Sequence, residues 1–586
     1  MKNLESAREI WVVDFEYRQP SNHLPSPHCV VARELRSGKL IKLWLGDDPP
    51  AAPPFDVEKS IYVAYNAVAE ALCHRVLGWP APLNVLDLYA EFRNFVADRR
   101  QQLGVERLSL LDALKFFKLN CISASEKTMW RGLAIRGGPY TAEEKLGLLE
   151  YCREDVDGTV ALFEKMRSHL DVPRALLRGR FAVCASKVQQ HGIPLDEANL
   201  QHIQDHRECL RAGLIEDVDE SYHVFENGKF SSCRFQRWAK SQRIPWPHHP
   251  SGKPVLDRDT FSDMAKLHPS VQPLHELRKT LSELNNQNLA VAPDGRSHVS
   301  PGVFGTLTGR NSPRASEFIF ARAKWWRYLI QPSPAHVLLY FDWRSQEFAI
   351  AAALSRDEAM MAAYRSGDAY LGFGMACGAI PQGATKATHT KERQIYKVAT
   401  LALQFGIGAE KLGLDLGGGP VAGVRMLERY RETFPDFTRW SEGQADKAAL
   451  GGILQTPFGW RLVADASNVK PRTFKNFPVQ ATGGDMMRIA VILMIQSGVK
   501  ICAMVHDGFL IEAPVQDVEH VAWLADSCMR EASRLALYGF EVDVDRDTFA
   551  DRFRDPAGAD MWRKICLLTG IEDAGGGQFD HPPPAV

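Results

Sequence analysis

The 586-residue chain contains no run approaching the ~18 consecutive apolar residues that a membrane span requires, and its first residues, Met1-Lys-Asn-Leu-Glu-Ser6, lack the apolar stretch of a signal peptide. A cytoplasmic protein without membrane attachment is therefore expected. The 11 cysteines are scattered, odd in number and never spaced Cys-x-x-Cys, which argues against a zinc ribbon or a disulfide framework and for reduced thiols. No internal repeat is present. Net charge is also nearly absent, at -1, so the chain as a whole is no polyelectrolyte. What is present is an ordinary globular composition, 45% apolar and 24% charged, which excludes disorder as the main state. At ~150 residues per domain, the length suggests three or four structural units.

Net charge averages over faces, and the basic residues cluster. Five bases face one acid between Arg310 and Arg327, four face one between Lys386 and Lys397, and four face one between Arg461 and Lys475. Residues 541–560 reverse the sign, with seven acids against three bases. Such runs are most often solvated faces, so clustering alone is a weak pointer to nucleic acid.

The N-terminal segment reads as α/β, with strands at Glu9–Glu16 and Ser60–Asn66 and an amphipathic helix over Glu143–Met166. A break near 172–176 suggests a boundary at about 175. The Pro- and His-rich region 241–300 is expected to hold long connections. Late strands at His336–Phe341 and Lys500–Val505 bracket a helical block, and the tail Gly575–Pro584 reads as disordered.

Both late strands end in a carboxylate, Asp342 and Asp507, the second at a His-Asp-Gly hairpin tip. Singly, each suits a turn. Brought together, they could hold two Mg²⁺ ions about 4 Å apart, the arrangement used in phosphoryl transfer. Between them, Arg393, Lys397, Leu401 and Phe405 recur every fourth residue and share one helix face. The two cations could clamp a triphosphate, with Lys397 able to give a proton to pyrophosphate. The two apolar side chains offer a surface to sugar and base.

In order, Asp342-Trp-Arg-Ser-Gln-Glu347, the Arg-x3-Lys-x7-Phe-Gly helix and the Val-His-Asp hairpin resemble motifs A, B and C of family A DNA polymerases, the bacterial polymerase I and phage branch. Thr308-Gly-Arg310, Arg472-x3-Asn476-x3-Gln480 and Lys187–Asp196 resemble further parts of that family, and the likeness covers roughly residues 176–550. It implies an α/β multidomain chain with palm, fingers and thumb: thumb about 176–300, palm about 301–365 and 462–570, fingers about 366–461. It also implies that Asp342, Asp507 and the Trp343 backbone bind two Mg²⁺ ions. Arg393, Lys397, Leu401, Phe405 and Gln346 would contact the dNTP, and Glu347 would be the steric gate against ribonucleotides. Arg310, Gln480 and His506 would touch the primer-template or primer end, and Arg472 and Asn476 the template. Three departures stand out: Gly508 where Glu is frequent, Leu401 where Phe or Tyr is common, and residues 314–327, which lack the usual Pro-Asn-Leu-Gln-Asn.

Asp14 and Glu16 at the end of the first strand lie on one side of the chain, because strand side chains alternate with period two. Tyr151 and Asp155 lie one helical turn apart, where the phenol could orient a water. This set resembles the DEDD 3′ to 5′ exonucleases and implies an RNase H-like domain over 1–175 that binds Mg²⁺ or Mn²⁺ through Asp14, Glu16 and Asp155. Glu70 stands at the position usually held by Asp, and Asp157 reads as an ordinary surface residue. The function these likenesses imply is a DNA-templated DNA polymerase with proofreading, acting as a monomer on primer-template DNA and dNTPs. A replisome helicase, primase or processivity factor would be a further partner, and the location the host cytoplasm if the chain is phage-encoded. The alternatives are a polymerase with an inactive exonuclease-like scaffold, or an exonuclease whose second half only holds DNA.

Overall fold

The computed structural model describes residue 4 and residues 7–573, apart from 47, 98, 100, 101, 122, 285–288 and 465–469; the tail expected to be disordered lies outside the described residues. The N-terminal part is built on one mixed sheet. β1 (Ile10–Arg18) pairs antiparallel with β2 (Ser26–Glu34), which pairs with β3 (Leu40–Trp44). On the other side of β1 lies β4 (Ile61–Ala64), followed after α1 (Ala67–Val76) by β5 (Val85–Asp87), both parallel to β1. Alternation along β1 sorts its two faces. Trp11, Val13 and Phe15 enter one core, whereas Ile10 and Val12 enter the other. Asp14 and Glu16 share the parity of Ile10 and Val12 and so face the helices of that second core.

Those helices form an antiparallel pair, α2 (Ala124–Arg136) and α3 (Ala142–Met166). α3 starts with a capping box between Thr141 and Glu144, a device that stabilises a helix start by about 1 kcal/mol. It buries Leu148, Cys152, Val156, Leu162 and Met166 on one stripe. The break expected near 172–176 coincides with the first turn of α4 (Val172–His191), capped by Asp171 with proline just inside. α4 packs on both halves. Its Gly179 lies so close to β5 that an added Cβ would sit 2.0 Å from the Val85 carbonyl oxygen, and its buried Arg178 bonds Glu91 at 2.6 Å and the Phe458 carbonyl at 3.3 Å.

The region 241–300, expected to hold long connections, contains two helices, α5 (Arg258–Leu267) and α6 (Gln272–Leu284). Leu274, Leu277, Leu281 and Leu284 are buried at helical spacing, a periodicity that outweighs the surrounding Pro and His.

The C-terminal part centres on a four-stranded antiparallel sheet. β6 (His336–Trp343) is followed by α7 (Gln346–Ser355), α8 (Ala369–Ala376), α9 (Thr390–Gln404) and the long α10 (Pro471–Gln496). Then come the hairpin β7 (Ile501–Val505) and β8 (Gly508–Pro514), α11 (Val518–Ala536) and β9 (Val544–Phe549), in sheet order β7-β8-β6-β9. Leu339 and Phe341 join the core with α10 and α11, and Leu338 joins the core on the opposite face. The acid-rich run at 541–560 is largely paired within the fold: Arg530 with Glu541 and Asp543, Arg344 with Asp545, and Arg327 with Asp555. Among the described residues, no helix is long and apolar enough to cross a membrane.

Candidate active site

Register brings the two strand carboxylates together. Asp342 pairs with Gly508 on one side and Asp545 on the other, and the Trp343 amide reaches the Asp507 carbonyl at 3.4 Å. Two non-glycine residues beside these acids, Ser345 (φ 47°) and His506 (φ 53°), adopt left-handed backbone. That conformation costs roughly 1–2 kcal/mol each and is held where a turn must aim a side chain. Burial and then the charges of Asp507, Asp545 and Asp547 push Asp342 up to about 7, and burial likewise raises Asp507. The cluster therefore carries more negative charge than its neighbours neutralise, and its oxygen donors suit a hard divalent cation.

Asp545 and Asp547 escaped the motif reading. Their signal was the alternation Asp543-Val-Asp545-Arg-Asp547, which sets the carboxylates on one strand face. Gly508 also has a local cause. A Cβ there would lie 2.5 Å from the Phe341 carbonyl oxygen and 3.0 Å from both the Asp342 Cβ and the Tyr340 hydroxyl, so this hairpin excludes a third acid at that position.

α9 is tied at its C-terminus to the start of α7 by the Gln404 amide donating to the Glu347 carbonyl at 2.7 Å. Its Arg393 is held by Asp368, the N-cap of α8, and the Arg393 and Lys397 head groups lie 5.4 and 6.0 Å from the Tyr370 ring centroid. Asp368 and Tyr370 were also missed, although an Asp two residues before an aromatic at a helix start is visible in the sequence. Glu347 accepts from Arg310 at 2.9 Å, and Arg310 also donates to the Gln480 carbonyl at 3.0 Å. On α10, Arg472 and Asn476 both reach the Phe405 carbonyl, at 2.9 and 3.5 Å. Leu401 is half-buried against the large core, and His506 is exposed at the hairpin tip. Gln346 is 3% exposed, packed where a Cβ on Gly483 of α10 would meet its amide oxygen at 2.8 Å, and so is not open to a nucleotide pocket. Of the basic run 310–327, Arg327 is committed to Asp555 at 2.7 Å and Arg322 donates to the Ser316 carbonyl at 2.6 Å, so much of that cluster is structural.

In the N-terminal part, ligand oxygens of Asp14, Glu16 and Asp155 all lie within 4.8 Å of one another. Burial and then the Asp155 charge push Asp14 up to about 8, and burial and then Asp14 raise Glu16. Tyr151 is buried in the adjacent turn, its phenol raised by burial and then by Asp155. Glu70 lies outside this three-carboxylate group. It is buried near Asp14, and its Oε2 has no hydrogen-bond partner. Three converging carboxylates, with the unpartnered Glu70 Oε2 buried nearby, offer the hard oxygen donors that suit Mg²⁺ or Mn²⁺. Asp157 pairs with Arg33 at 2.7 Å, away from this group.

Comparison with known proteins agrees with this geometry. A family model described as DNA polymerase family A matches residues 238–548. The chain is 26% identical over 515 residues to the thermostable DNA polymerase I of Thermus aquaticus, covering 82% of this chain and 60% of that protein. It is 25% identical over 350 residues to the thermostable DNA polymerase I of Thermus caldophilus, covering 54% and 39%. Identity to the DNA polymerase of Mycobacterium phage D29 is 25% over 317 residues, covering 52% and 51%. The chain thus spans about two to three fifths of the length of these curated relatives. Its fold is similar, at a TM-score of 0.70 and 17% identity, to the POL domain of Pol1 from M. smegmatis, solved with DNA primer-template and dNTP, covering 93% of this chain and 95% of that one. With more than half its length matched by the family model and its acids gathered at one sheet edge, the chain belongs to DNA polymerase family A.

Proposed function

We propose that this chain copies DNA, adding dNTPs to a primer 3′ end by two-metal phosphoryl transfer, and that its N-terminal half removes mispaired 3′ ends. The meeting of Asp342 and Asp507 at one sheet edge, with Arg393 and Lys397 on a helix tied by Gln404 to the Glu347 carbonyl, supports the first activity most directly. Asp342 and Asp507, with the Trp343 backbone, would hold the Mg²⁺ ions. Bound there, the ions supply charge stabilisation to the attacking and leaving oxygens. Arg393 and Lys397 orient the triphosphate, which must draw Arg393 from Asp368, and Lys397 gives a proton to the leaving pyrophosphate. Glu347, fixed by Arg310, fills the space a 2′-hydroxyl would need. Phe405 and Leu401 offer apolar surface to base and sugar, and Arg472, Asn476, Gln480 and His506 contact the primer-template. Hydrogen bonds to minor-groove acceptors placed alike in every correct pair test pairing without reading sequence.

In the N-terminal half, Asp14, Glu16 and Asp155 would hold the exonuclease metal, Mg²⁺ or Mn²⁺, with Glu70 beside them, and Tyr151 would orient the water. The division follows as an exonuclease domain to about 175, then thumb, palm and fingers. The partners are primer-template DNA and dNTPs.

The test is a mismatched primer-template with Mg²⁺, with and without dNTPs. Extension with dNTPs and shortening without them are expected, and the Asp14→Ala, Glu16→Ala double variant should lose only the shortening. Shortening without extension refutes the polymerase reading. Extension with no shortening in Mg²⁺ or Mn²⁺ leaves an inactive exonuclease-like scaffold.

A further inference from the structure

The exonuclease carboxylates already have a cation. Lys127, on α2, places its ammonium 2.8 and 2.7 Å from the two oxygens of Asp155 and 5.6 Å from the Tyr151 ring centroid. The lysine side chain is 24% exposed and the aspartate 14%, so the pair is sheltered from solvent. Both Asp155 oxygens are engaged, yet Asp155 is one of the three carboxylates whose oxygens converge within 4.8 Å. An ammonium bound to both oxygens of a carboxylate occupies one lone pair on each and places a positive charge beside them, which opposes the approach of a hard divalent cation.

The helix that delivers Lys127 is lightly anchored. α2 buries only Ala134 among its described residues, and Trp130, one turn on from Lys127, lies directly over Gly147 of α3. Arg136 and Glu144, paired at 2.9 Å, close the far end. Lys127 and Trp130, one turn apart, are contacts by which α2 meets α3, and Lys127 is their polar end.

Building on the exonuclease reading, we propose that Lys127 is an internal counter-cation of this site, neutralising Asp155 when metal is absent and competing with the divalent cation for it. Metal entry breaks the Lys127–Asp155 pair and releases α2 at its Lys127 end. Lys127 is a positioning residue in this scheme, setting the metal concentration at which the site fills.

The test uses the full chain carrying Asp342→Asn and Asp507→Asn, so that the polymerase acids do not mask the measurement, and follows Mn²⁺ binding without DNA by calorimetry and by loss of the free-ion electron paramagnetic resonance signal. Lys127→Met should bind Mn²⁺ about tenfold more tightly, because a sheltered ion pair no longer has to break. Lys127→Arg, which keeps the charge, should stay near the parent. Binding that the Asp14→Ala, Glu16→Ala pair removes but Lys127→Met leaves unchanged or weakens overturns the counter-cation and leaves the exonuclease site standing. No binding sensitive to Asp14 and Glu16 in any variant overturns both. Should Lys127→Met unfold by circular dichroism, Lys127→Gln takes its place with the same two outcomes.

Discussion

Replacing Asp342 by Asn should destroy activity and stabilise the metal-free protein, and the two effects have one cause. Asp342 titrates at about 7 instead of 3.8, first because it is buried and then because Asp507, Asp545 and Asp547 surround it. The folded chain therefore binds a proton at this site more tightly than the unfolded chain does. Stability falls as pH rises from about 4 to about 7, and above that the whole cost of ionisation is present. The difference between the two values corresponds to about 4 kcal/mol in a dry site, and partial solvent access reduces it to roughly 1–2 kcal/mol. Asn removes the charge and keeps the shape. In EDTA at pH 8, Asp342→Asn should raise the melting midpoint of the C-terminal part by roughly 1–2 °C. Near pH 4 most of that gain should vanish, because the carboxyl is then protonated in the folded chain and about half protonated in the unfolded one, so little ionisation cost remains. Primer extension in Mg²⁺ should fall by about a thousandfold or more, the equivalent of several kcal/mol of lost metal stabilisation. Calorimetric scans of both proteins at the two pH values measure the first effect and single-nucleotide incorporation the second. A variant less stable than wild type at pH 8, or a gain that persists undiminished at pH 4, would refute the electrostatic reasoning.

Glu347→Ala should lower discrimination against ribonucleotides by about tenfold or more, whereas Glu347→Gln, which keeps the volume, should preserve it; competing ribo- and deoxyribonucleotides in one incorporation assay decides this. DNA affinity should fall steeply with salt, and Lys386→Ala with Arg472→Ala, both exposed, should reduce the log–log slope by ~1.8. Arg327→Ala, which loses the internal partners Asp555 and the Phe320 carbonyl, should leave that slope unchanged in the same filter-binding series. Gly508→Ala should cost about 1–3 kcal/mol and lower kcat, because its methyl would press on the Phe341 carbonyl and the Asp342 Cβ; an unperturbed melting curve would contradict the close approach.

Much of the site was legible because its signals are local. A strand that ends in Asp, a His-Asp-Gly hairpin tip and cations repeating every fourth residue each follow from short-range backbone periodicity, and so does the pair Asp14 and Glu16 on one strand face. The sequence by itself determined which side chains share a face and which residues turn the chain. Only the tertiary structure decided which faces meet. Asp545 and Asp547 reach Asp342 through strand pairing across about 200 residues, and Arg327 leaves the basic run to neutralise Asp555. Gln346 goes under α10 instead of into the pocket, and Lys127 arrives at Asp155 from a separate helix. Each of these is a long-range choice among partners of equal local suitability. Register, burial and charge pairing settle such choices only once the chain has closed on itself.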